Sequence, residues 1–254
     1  MLKISKGRKK APVMAAIYGV EGVGKTTLAA QLPGALIIDV EEGAVHYDIA
    51  RIDAAEVDTW EKMIDMIGYI YSSPDDLHKQ GYHTIVFDSV DAIESLLLIP
   101  FTLKVNGNPG GSLADFDWGR GYDREANDFK RFLSGCSALM QKGFNIVFIV
   151  HSQQKEINPP DNPPYSHYEL KLNKKLCALL KEKVDMLLFA TYETYTIKEG
   201  NANKAKSTKR VLVCRHTAYA DAKNRFGFPP KIDMNPDILK PYFPVPDITP
   251  KTAK

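Results

Sequence analysis

Residues 13–28 read VMAAIYGVEGVGKTTL, and the fold follows from this stretch. Residues 13–17 are apolar and suit a buried strand, because the run is too short for a buried helix. They lead into Gly-x-x-x-x-Gly-Lys-Thr over residues 19–26, and residues 27–30 suit the opening of a helix. The order of strand, glycine-rich loop and helix is typical of a phosphate-binding loop. The alternative is a glycine-rich turn before an ordinary helix.

The chemistry of phosphate binding explains this spacing. Gly22 and Gly24 lack a Cβ, so the loop can adopt positive φ and turn successive backbone N–H groups towards a polyphosphate. The start of the helix favours an anion at the same place. We expect Lys25 to be exposed at the loop and to contact the β- and γ-phosphates, while the Thr26 hydroxyl binds Mg²⁺. The predicted nucleotide-binding residues of this loop are Gly19, Glu21, Gly22, Val23, Gly24, Lys25, Thr26 and Thr27.

The composition is that of one globular α/β domain. The chain has 254 residues, of which 44% are hydrophobic and 25% charged, and this is ordinary for a soluble protein. It has no apolar run of 18 residues and no apolar segment after its basic N-terminus, so we expect neither a membrane span nor a signal peptide. Three scattered cysteines suit reduced thiols in a cytoplasm, and zinc-binding spacing is absent.

Charge is unevenly distributed along the chain, although its net charge is only +2. The first ten residues carry five positive side chains and no acid, whereas residues 39–65 carry nine acids against two basic residues. The basic arm is either a solvated tail or a phosphate-binding arm, and composition does not choose. We divide the chain into a basic arm (1–11), an ATPase-type domain (12–234) and a proline-rich C-terminal tail (235–254), which we expect to be extended.

Polar residues follow three further predicted strands, over residues 35–39, 82–89 and 145–150. In an open α/β sheet, residues just past the carboxyl ends of the strands line the ligand crevice. Glu41 is therefore a candidate general base, the alternative being a loop carboxylate that faces solvent. Asp88 ends its strand as a Walker B acid would, and we expect it to hold the Mg²⁺ shell with Thr26. His151 faces the nucleotide if the sheet is parallel, or otherwise only caps its strand.

The remaining patterns complete an α/β fold. Helical periodicity covers residues 57–71, 122–140 and 172–184, and Asp58 with Glu61 resembles a capping box, with residues 73–76 closing the first of these helices. Residues 185–197 and 209–217 read as an antiparallel pair around a basic loop that contains Lys198, Lys204 and Lys206. Residues 100–121 favour a mobile loop, and the proline-rich residues 158–165 favour a second loop. We predict a mostly parallel central sheet flanked by helices, with a C-terminal antiparallel hairpin.

Over about residues 12–230 the chain resembles the RecA-like P-loop ATPases, and most closely the phage RecA-related single-strand annealing proteins of the Sak type. RecA's phosphate loop also carries a glutamate at its third position, here Glu21, and ends in Thr-Thr-Leu, here residues 26–28. Its second strand leads to a catalytic glutamate two residues beyond an aspartate, which corresponds to Asp39 and Glu41. The resemblance implies a RecA-like core, ATP and Mg²⁺ as ligands, and Glu41 as the base.

The resemblance also assigns roles to later residues. The family's γ-phosphate sensor follows the strand after Walker B, where either His151 or Gln153 stands here. Two loops that bind single-stranded DNA correspond to residues 100–121 and 153–170. Lys223 and Arg225 resemble the basic pair that such subunits insert into a neighbour's nucleotide site, the alternative being a solvated turn. A homo-oligomeric ring or filament follows from this resemblance.

The function implied by the resemblance is ATP-dependent binding and annealing or recombination of single-stranded DNA, with Mg²⁺-dependent hydrolysis. A single-strand binding protein is a further candidate partner, and no membrane is involved. The expected location is the cytoplasm, which is the host's cytoplasm if the chain is phage-encoded. A chain of 254 residues lacks room for RecA's extra terminal domains, so annealing is favoured over strand exchange. The alternatives are a replicative-helicase-like motor or loader, and a nucleotide-dependent switch that binds a protein partner without nucleic acid.

Overall fold

The structure, a computed structural model, describes residues 6–7, 10–160, 163–199 and 202–246. The side chains of residues 195–199 and 202–208 are outside this description. Most of the predicted basic arm and the last eight residues of the predicted tail therefore lie outside the described residues. The side chains of Lys198, Lys204 and Lys206 also lie outside them.

The apolar run before the glycine loop forms a central strand, β1, of a mostly parallel sheet. Within the described residues the sheet has ten strands, with the order β10-β8-β7-β1-β5-β4-β2-β3, while β6 pairs with β5 and β9 with β7. The strands β3, β2, β4, β5, β1 and β7 are parallel, and β8 and β10 follow antiparallel. This confirms the predicted fold class, a RecA-like α/β core with a C-terminal antiparallel hairpin. The strands are β1 (Met14–Gly19), β2 (Ala35–Asp39), β3 (Arg51–Ile52), β4 (Thr84–Asp88), β5 (Asn145–Ile157), β6 (Tyr165–Leu170), β7 (Met186–Glu199), β8 (Ala202–Val213), β9 (Lys223–Asn224) and β10 (Lys231–Asp233).

Helices cover both faces of the sheet. On one face Met63, Phe132 and Leu176 pack with Phe87 and Phe148 of the sheet. On the other face the core contains Leu28 and the C-terminal residues Leu239 and Phe243. Among the described helices, none is long and apolar enough to cross a membrane. The helices are α1 (Lys25–Ala29), α2 (Trp60–Ser72), α3 (Pro74–Lys79), α4 (Val90–Ala92), which continues through a π-helical stretch (Ile93–Leu98) into α5 (Ile99–Val105), α6 (Arg120–Gln141), α7 (Lys174–Lys183) and α8 (Pro236–Leu239).

The start of α2 differs from the prediction, whereas its end agrees with it. The residue that caps α2 is Thr59, whose hydroxyl accepts the Lys62 N–H at 3.2 Å, rather than a box of Asp58 and Glu61. The helix ends at Ser72, and Pro74 then starts α3, because a proline at the first helical position has no N–H to leave unpaired.

Two proline- and glycine-rich segments contain more packed structure than expected. Within 100–121, α5 is followed by two short 3-10 turns, Leu113–Asp115 and Asp117–Gly119. A capping box formed by Ser112 and Asp115 stabilises the first turn, and Leu113 is buried. Residues 236–242 are helical rather than extended, because the side chain of Leu239 and that of the following Phe243 are buried in the core.

Candidate nucleotide-binding site

The loop between β1 and α1 has the conformation that the glycines were predicted to allow. Gly22 has φ 72° and Gly24 has φ 96°, both in the left-handed region. Gly19 is required for another reason, since its Cβ would lie 2.1 Å from the carbonyl oxygen of Ala190 on β7. Gly22 and Gly24 therefore serve the shape of the loop, and Gly19 serves close packing.

Lys25 is buried, with only 6% of its surface exposed, so the expectation that it would be exposed is wrong. Its Nζ donates to the carbonyl oxygens of Gly19 and Val20, at 3.0 Å each. Burial lowers the pKa of Lys25, although nearby carboxylates, Asp88 first, oppose this effect. The amine is thus turned into the loop, where a polyphosphate would meet it.

Thr26 and Asp88 come together as the Walker B prediction requires. The Thr26 hydroxyl donates to Oδ2 of Asp88 at 2.7 Å. Burial raises the pKa of Asp88 to about 6, and the charges of Glu41 and Asp39 add to this while the Thr26 hydrogen bond opposes it. A half-buried carboxylate beside a hydroxyl and other acids concentrates negative charge, and oxygen ligands of this kind suit Mg²⁺. The residues present therefore fit the predicted ion.

Glu41 lies at the edge of the same cleft, two residues beyond β2. The Ser89 hydroxyl donates to Oε1 of Glu41 at 2.7 Å and orients the carboxylate. Asp39 accepts the N–H of Ala44 at 2.9 Å, and Glu42 has a left-handed φ of 57°, so the chain turns sharply after Glu41. The carboxylate of Glu41 is exposed to the cleft and held in one orientation, as a group that orients a water molecule must be.

His151 enters the cleft from the neighbouring strand β5, where it lies opposite Gly19 of β1. Its Nδ1 lies 2.8 Å from Oδ2 of Asp91, and its backbone N–H donates to Oδ1 of the same carboxylate at 2.9 Å. The hydrogen bond with Asp91 raises the pKa of His151, while burial opposes this effect. Asp91 therefore makes protonation of this imidazole easier than that of a free histidine.

These side chains line one cleft at the carboxyl ends of the parallel strands. Of the predicted loop residues, Gly22, Gly24, Lys25, Thr26 and Thr27 line it, whereas Glu21 is exposed on the loop and Val23 is buried in the core. The other lining residues are Asp39, Glu41, Gly43, Tyr47, Asp88, Ile149 and His151.

Three predicted residues lie elsewhere. Gln153 is exposed, and its amide donates to Glu169 on β6 at 3.2 Å. Arg225 pairs with Asp185 at 2.8 Å, and Lys223 donates to the carbonyl oxygens of Lys181 and Glu182 at the end of α7.

Both Lys223 and Arg225 stand at the opposite end of the sheet from the phosphate loop of the same chain. Asp185, the partner of Arg225, also accepts the N–H of Met14 at the start of β1. Five residues separate Met14 from Gly19, about 17 Å along a strand. Neither cation reaches its own phosphate loop.

The polar residues Ser89, Asp91, Tyr192 and Arg210 at the site were not predicted, nor were the lining residues Gly43, Tyr47 and Ile149. Ser89 and Asp91 could have been found, because they are polar and directly follow a strand that ends at the crevice. Tyr192 and Arg210 could not, since only the tertiary pairing of β7 with β8 brings them over the loop. The Tyr192 hydroxyl lies 3.5 Å from the Gly22 carbonyl oxygen, and Nη1 of Arg210 lies 3.4 Å from that of Val23.

A glycine loop that encloses a lysine, a Thr–Asp pair and an oriented glutamate, all at one end of a parallel sheet, define a P-loop ATPase. Residues 11–226 match the sequence profile of a family described as an AAA domain, AAA_24, and the chain belongs to this family. A comparison with curated proteins gave no significant match. Among solved structures, the chain is similar to a KaiC-like protein from the hyperthermophilic archaeon Pyrococcus horikoshii. The two share 14% identity over 82% of this chain and 81% of the other, with a TM-score of 0.41.

Proposed function

We propose that this protein is a Mg²⁺-dependent ATPase that binds single-stranded DNA and promotes its annealing or recombination. The ATPase part is supported by the cleft, in which one carboxylate is placed for the metal and a second for the attacking water. The DNA part is supported by the way in which the cleft connects to exposed segments of the chain. The proposed closeness to the Sak-type annealing proteins rests on the sequence resemblance.

Each residue of the cleft has a distinct part in hydrolysis. The amides around Gly22 and Gly24 bind the phosphates, and Lys25 neutralises the β- and γ-phosphate oxygens. Thr26 and Asp88 would hold Mg²⁺, which would supply positive charge against the phosphates. Glu41 accepts a hydrogen bond from the attacking water and directs it at the γ-phosphate, while Ser89 keeps the carboxylate in place. His151 is the better placed of the two sensor candidates, because it lines the cleft and Gln153 is bonded to Glu169.

One observation carries the proposed link to DNA. Strand β5 places His151 in the cleft and continues without a break to Ile157, where it pairs with β6 over the segment predicted to bind DNA. The base of this hairpin is tied to the sensor, since the backbone N–H of Lys171 donates to the carbonyl oxygen of His151 at 2.9 Å. The cleft and the hairpin therefore share one continuous strand and one backbone hydrogen bond, which favours a response of the hairpin to bound nucleotide.

Exposed aromatic side chains favour nucleic acid as the partner of these segments. Trp118, in the first predicted DNA segment, is 92% exposed, and Tyr165, in the second, is also exposed. Exposed rings of this kind offer flat surfaces on which nucleic acid bases stack without regard to sequence. This is the form of binding that an annealing protein requires.

Head-to-tail assembly completes the proposal. Arg225 and Lys223 lie too far from their own phosphate loop to act there, so the nucleotide they serve would be that of a neighbouring subunit. An interface that joins one end of the sheet to the other is heterologous, and it generates a ring or a filament.

The test is the ATPase rate with and without single-stranded DNA, followed by strand-annealing and strand-displacement assays. We expect DNA to stimulate turnover in the wild type and ATP to promote annealing without displacement. Lys25→Ala is the control for contaminating ATPase. Displacement of an annealed strand would favour the helicase-like alternative. ATP turnover that DNA does not stimulate, in a protein that does not bind DNA, would favour the protein-binding switch.

A further inference from the structure

Asp91 is a buried carboxylate at the site, and the proposed hydrolysis does not use it. It lies in α4, three residues beyond Asp88, and only 8% of its surface is exposed. Both of its oxygens are used by one residue, since Oδ1 accepts the backbone N–H of His151 and Oδ2 contacts the ring Nδ1. A carboxylate buried at this depth requires such partners, because an unpaired charge is costly in the interior.

This two-point contact fixes both the position and the tautomer of the imidazole. The backbone hydrogen bond holds the carboxylate against β5, and the side-chain hydrogen bond fixes the rotation of the ring. Because a carboxylate only accepts hydrogen bonds, Nδ1 of His151 must carry a proton. The other ring nitrogen, Nε2, is therefore the one that remains for the cleft that His151 lines.

The charges around His151 decide whether Nε2 also carries a proton. Asp91 on α4 and Glu41 beyond β2 favour the imidazolium, whereas Lys25 on α1 and burial oppose it, and the pKa of His151 is raised on balance. A bound polyphosphate would add negative charge and act in the same direction. The imidazolium form has an N–H on both nitrogens, so Nε2 becomes a donor.

We propose that Asp91 is a positioning residue that holds His151 as an imidazolium whose Nε2–H donates to the γ-phosphate. This inference rests on the proposed ATPase function and names the group that distinguishes a triphosphate from a diphosphate. His151 then supplies, from the same chain, a cation at the oxygens on which charge develops. Asp91 itself touches no phosphate and acts only through His151.

The first experiment needs no turnover. Imidazole ¹⁵N NMR of the nucleotide-free protein, with the His151 signal assigned by its loss in His151→Gln, reports the tautomer and the titration of the ring. We expect a proton on Nδ1 in the wild type and a midpoint above 6.5. In Asp91→Asn we expect the midpoint to fall by about one pH unit or more, since an opposite charge is lost. A wild-type ring with a bare Nδ1 overturns the proposal without any variant.

The second experiment measures recognition. The affinities of a non-hydrolysable ATP analogue and of ADP are compared by calorimetry for the wild type, Asp91→Asn, His151→Gln and the double variant. We expect the ratio of the two affinities to fall roughly tenfold or more in Asp91→Asn, because one charge-assisted hydrogen bond is lost. His151→Gln replaces the cation with a neutral donor, so its ratio should fall at least as far, and Asp91→Asn should cause no further fall in that background.

Two further results would overturn the inference. One is an equal effect of Asp91→Asn with and without His151, which would mean that Asp91 only supports the fold. The other is a kcat of the wild type that falls towards acid pH with the midpoint of His151, which would mean that Nε2 acts as a base. If the wild type binds the triphosphate selectively but does not hydrolyse ATP, the proposed function fails while this inference stands. If the wild type hydrolyses ATP and the ratio of the two nucleotide affinities is unchanged in Asp91→Asn, only the inference fails.

Discussion

At the scale of single residues, Lys25 has both a structural and a chemical part. Lys25→Ala removes a contact to the β- and γ-phosphates, and we expect nucleotide affinity to fall by about 1.5–3 kcal/mol, measured by calorimetry. The variant also loses the bonds from Nζ to Gly19 and Val20, so a small fall in thermal stability accompanies it. Lys25→Met, which keeps the buried stem, is the matched control for packing. Unchanged affinity in both variants would contradict the phosphate-loop assignment.

Glu41 and Ser89 form a pair that separates binding from hydrolysis. Glu41→Gln keeps the shape of the side chain but not the base, so ATP affinity should be unchanged while kcat falls by roughly a hundredfold or more. Ser89→Ala removes the 2.7 Å hydrogen bond to Glu41 and should lower kcat to a smaller extent. It also removes the cap of α4, which accepts the Ala92 N–H at 3.3 Å, so a small fall in thermal stability should accompany it. Single-turnover hydrolysis measures both. Normal hydrolysis by Glu41→Gln would mean that another group, such as Glu42, is the base.

At the scale of elements, helices meet around a buried acid pair. Glu125 of α6 is fully buried and accepts from Asn173, the cap of α7, whose backbone N–H in turn donates to Glu94. Burial, together with the neighbouring charge of Glu94, raises the pKa of Glu125 to about 8. The Oε1 atom of Glu125 has no other partner among the described residues, and a proton there can be donated to Glu94. Glu125 is thus neutral in the folded protein at neutral pH.

This pair predicts a stability that falls with pH. The folded state holds the Glu125 proton more tightly than the unfolded chain does, so the free energy of unfolding decreases between the ordinary value of 4.5 and about 8. Glu125→Gln resembles the protonated acid and cannot ionise. Relative to the wild type it should gain about 1 kcal/mol or more between pH 6 and pH 9, measured by urea unfolding. Glu94→Gln, which removes the ionised partner, is the control and should destabilise α7. Parallel pH profiles for wild type and Glu125→Gln would contradict this account.

At the scale of the whole molecule, the sheet separates the phosphate loop from Arg225. Arg225→Ala subunits keep an intact loop, and Lys25→Ala subunits keep Arg225, so a mixture can form sites in which each variant supplies what the other lacks. If Arg225 acts on a neighbour, we expect each variant to be inactive alone and the mixture to recover ATPase activity. Lys240→Ala, which removes another exposed cation from an ion pair, is the control and should behave as the wild type. Full activity of Arg225→Ala in a protein that stays monomeric with ATP and DNA would exclude the idea.

Local patterns in the sequence were enough to predict the helices and strands and the part of the site that is built from neighbouring residues. The glycine loop, the strand of residues 35–39 and the acid at Asp88 are visible because their chemistry is carried by neighbours in the chain. The same holds for the long helix α6, whose apolar residues repeat with the helical period. The parallel order of the strands then places Glu41, Asp88 and His151 at one edge, since carboxyl ends of parallel strands lie together.

The tertiary structure decided which polar groups meet. The bonds from Ser89 to Glu41 and from His151 to Asp91 join residues 48 and 60 positions apart. It also decided that Lys25 is buried, that Gln153 is bonded to Glu169 and does not line the cleft, and that Arg210 covers the phosphate loop. These contacts depend on strand register and on the side-chain directions of elements distant in the chain. Periodicity and spacing along the chain carry no information about either, because they describe only what neighbouring residues do.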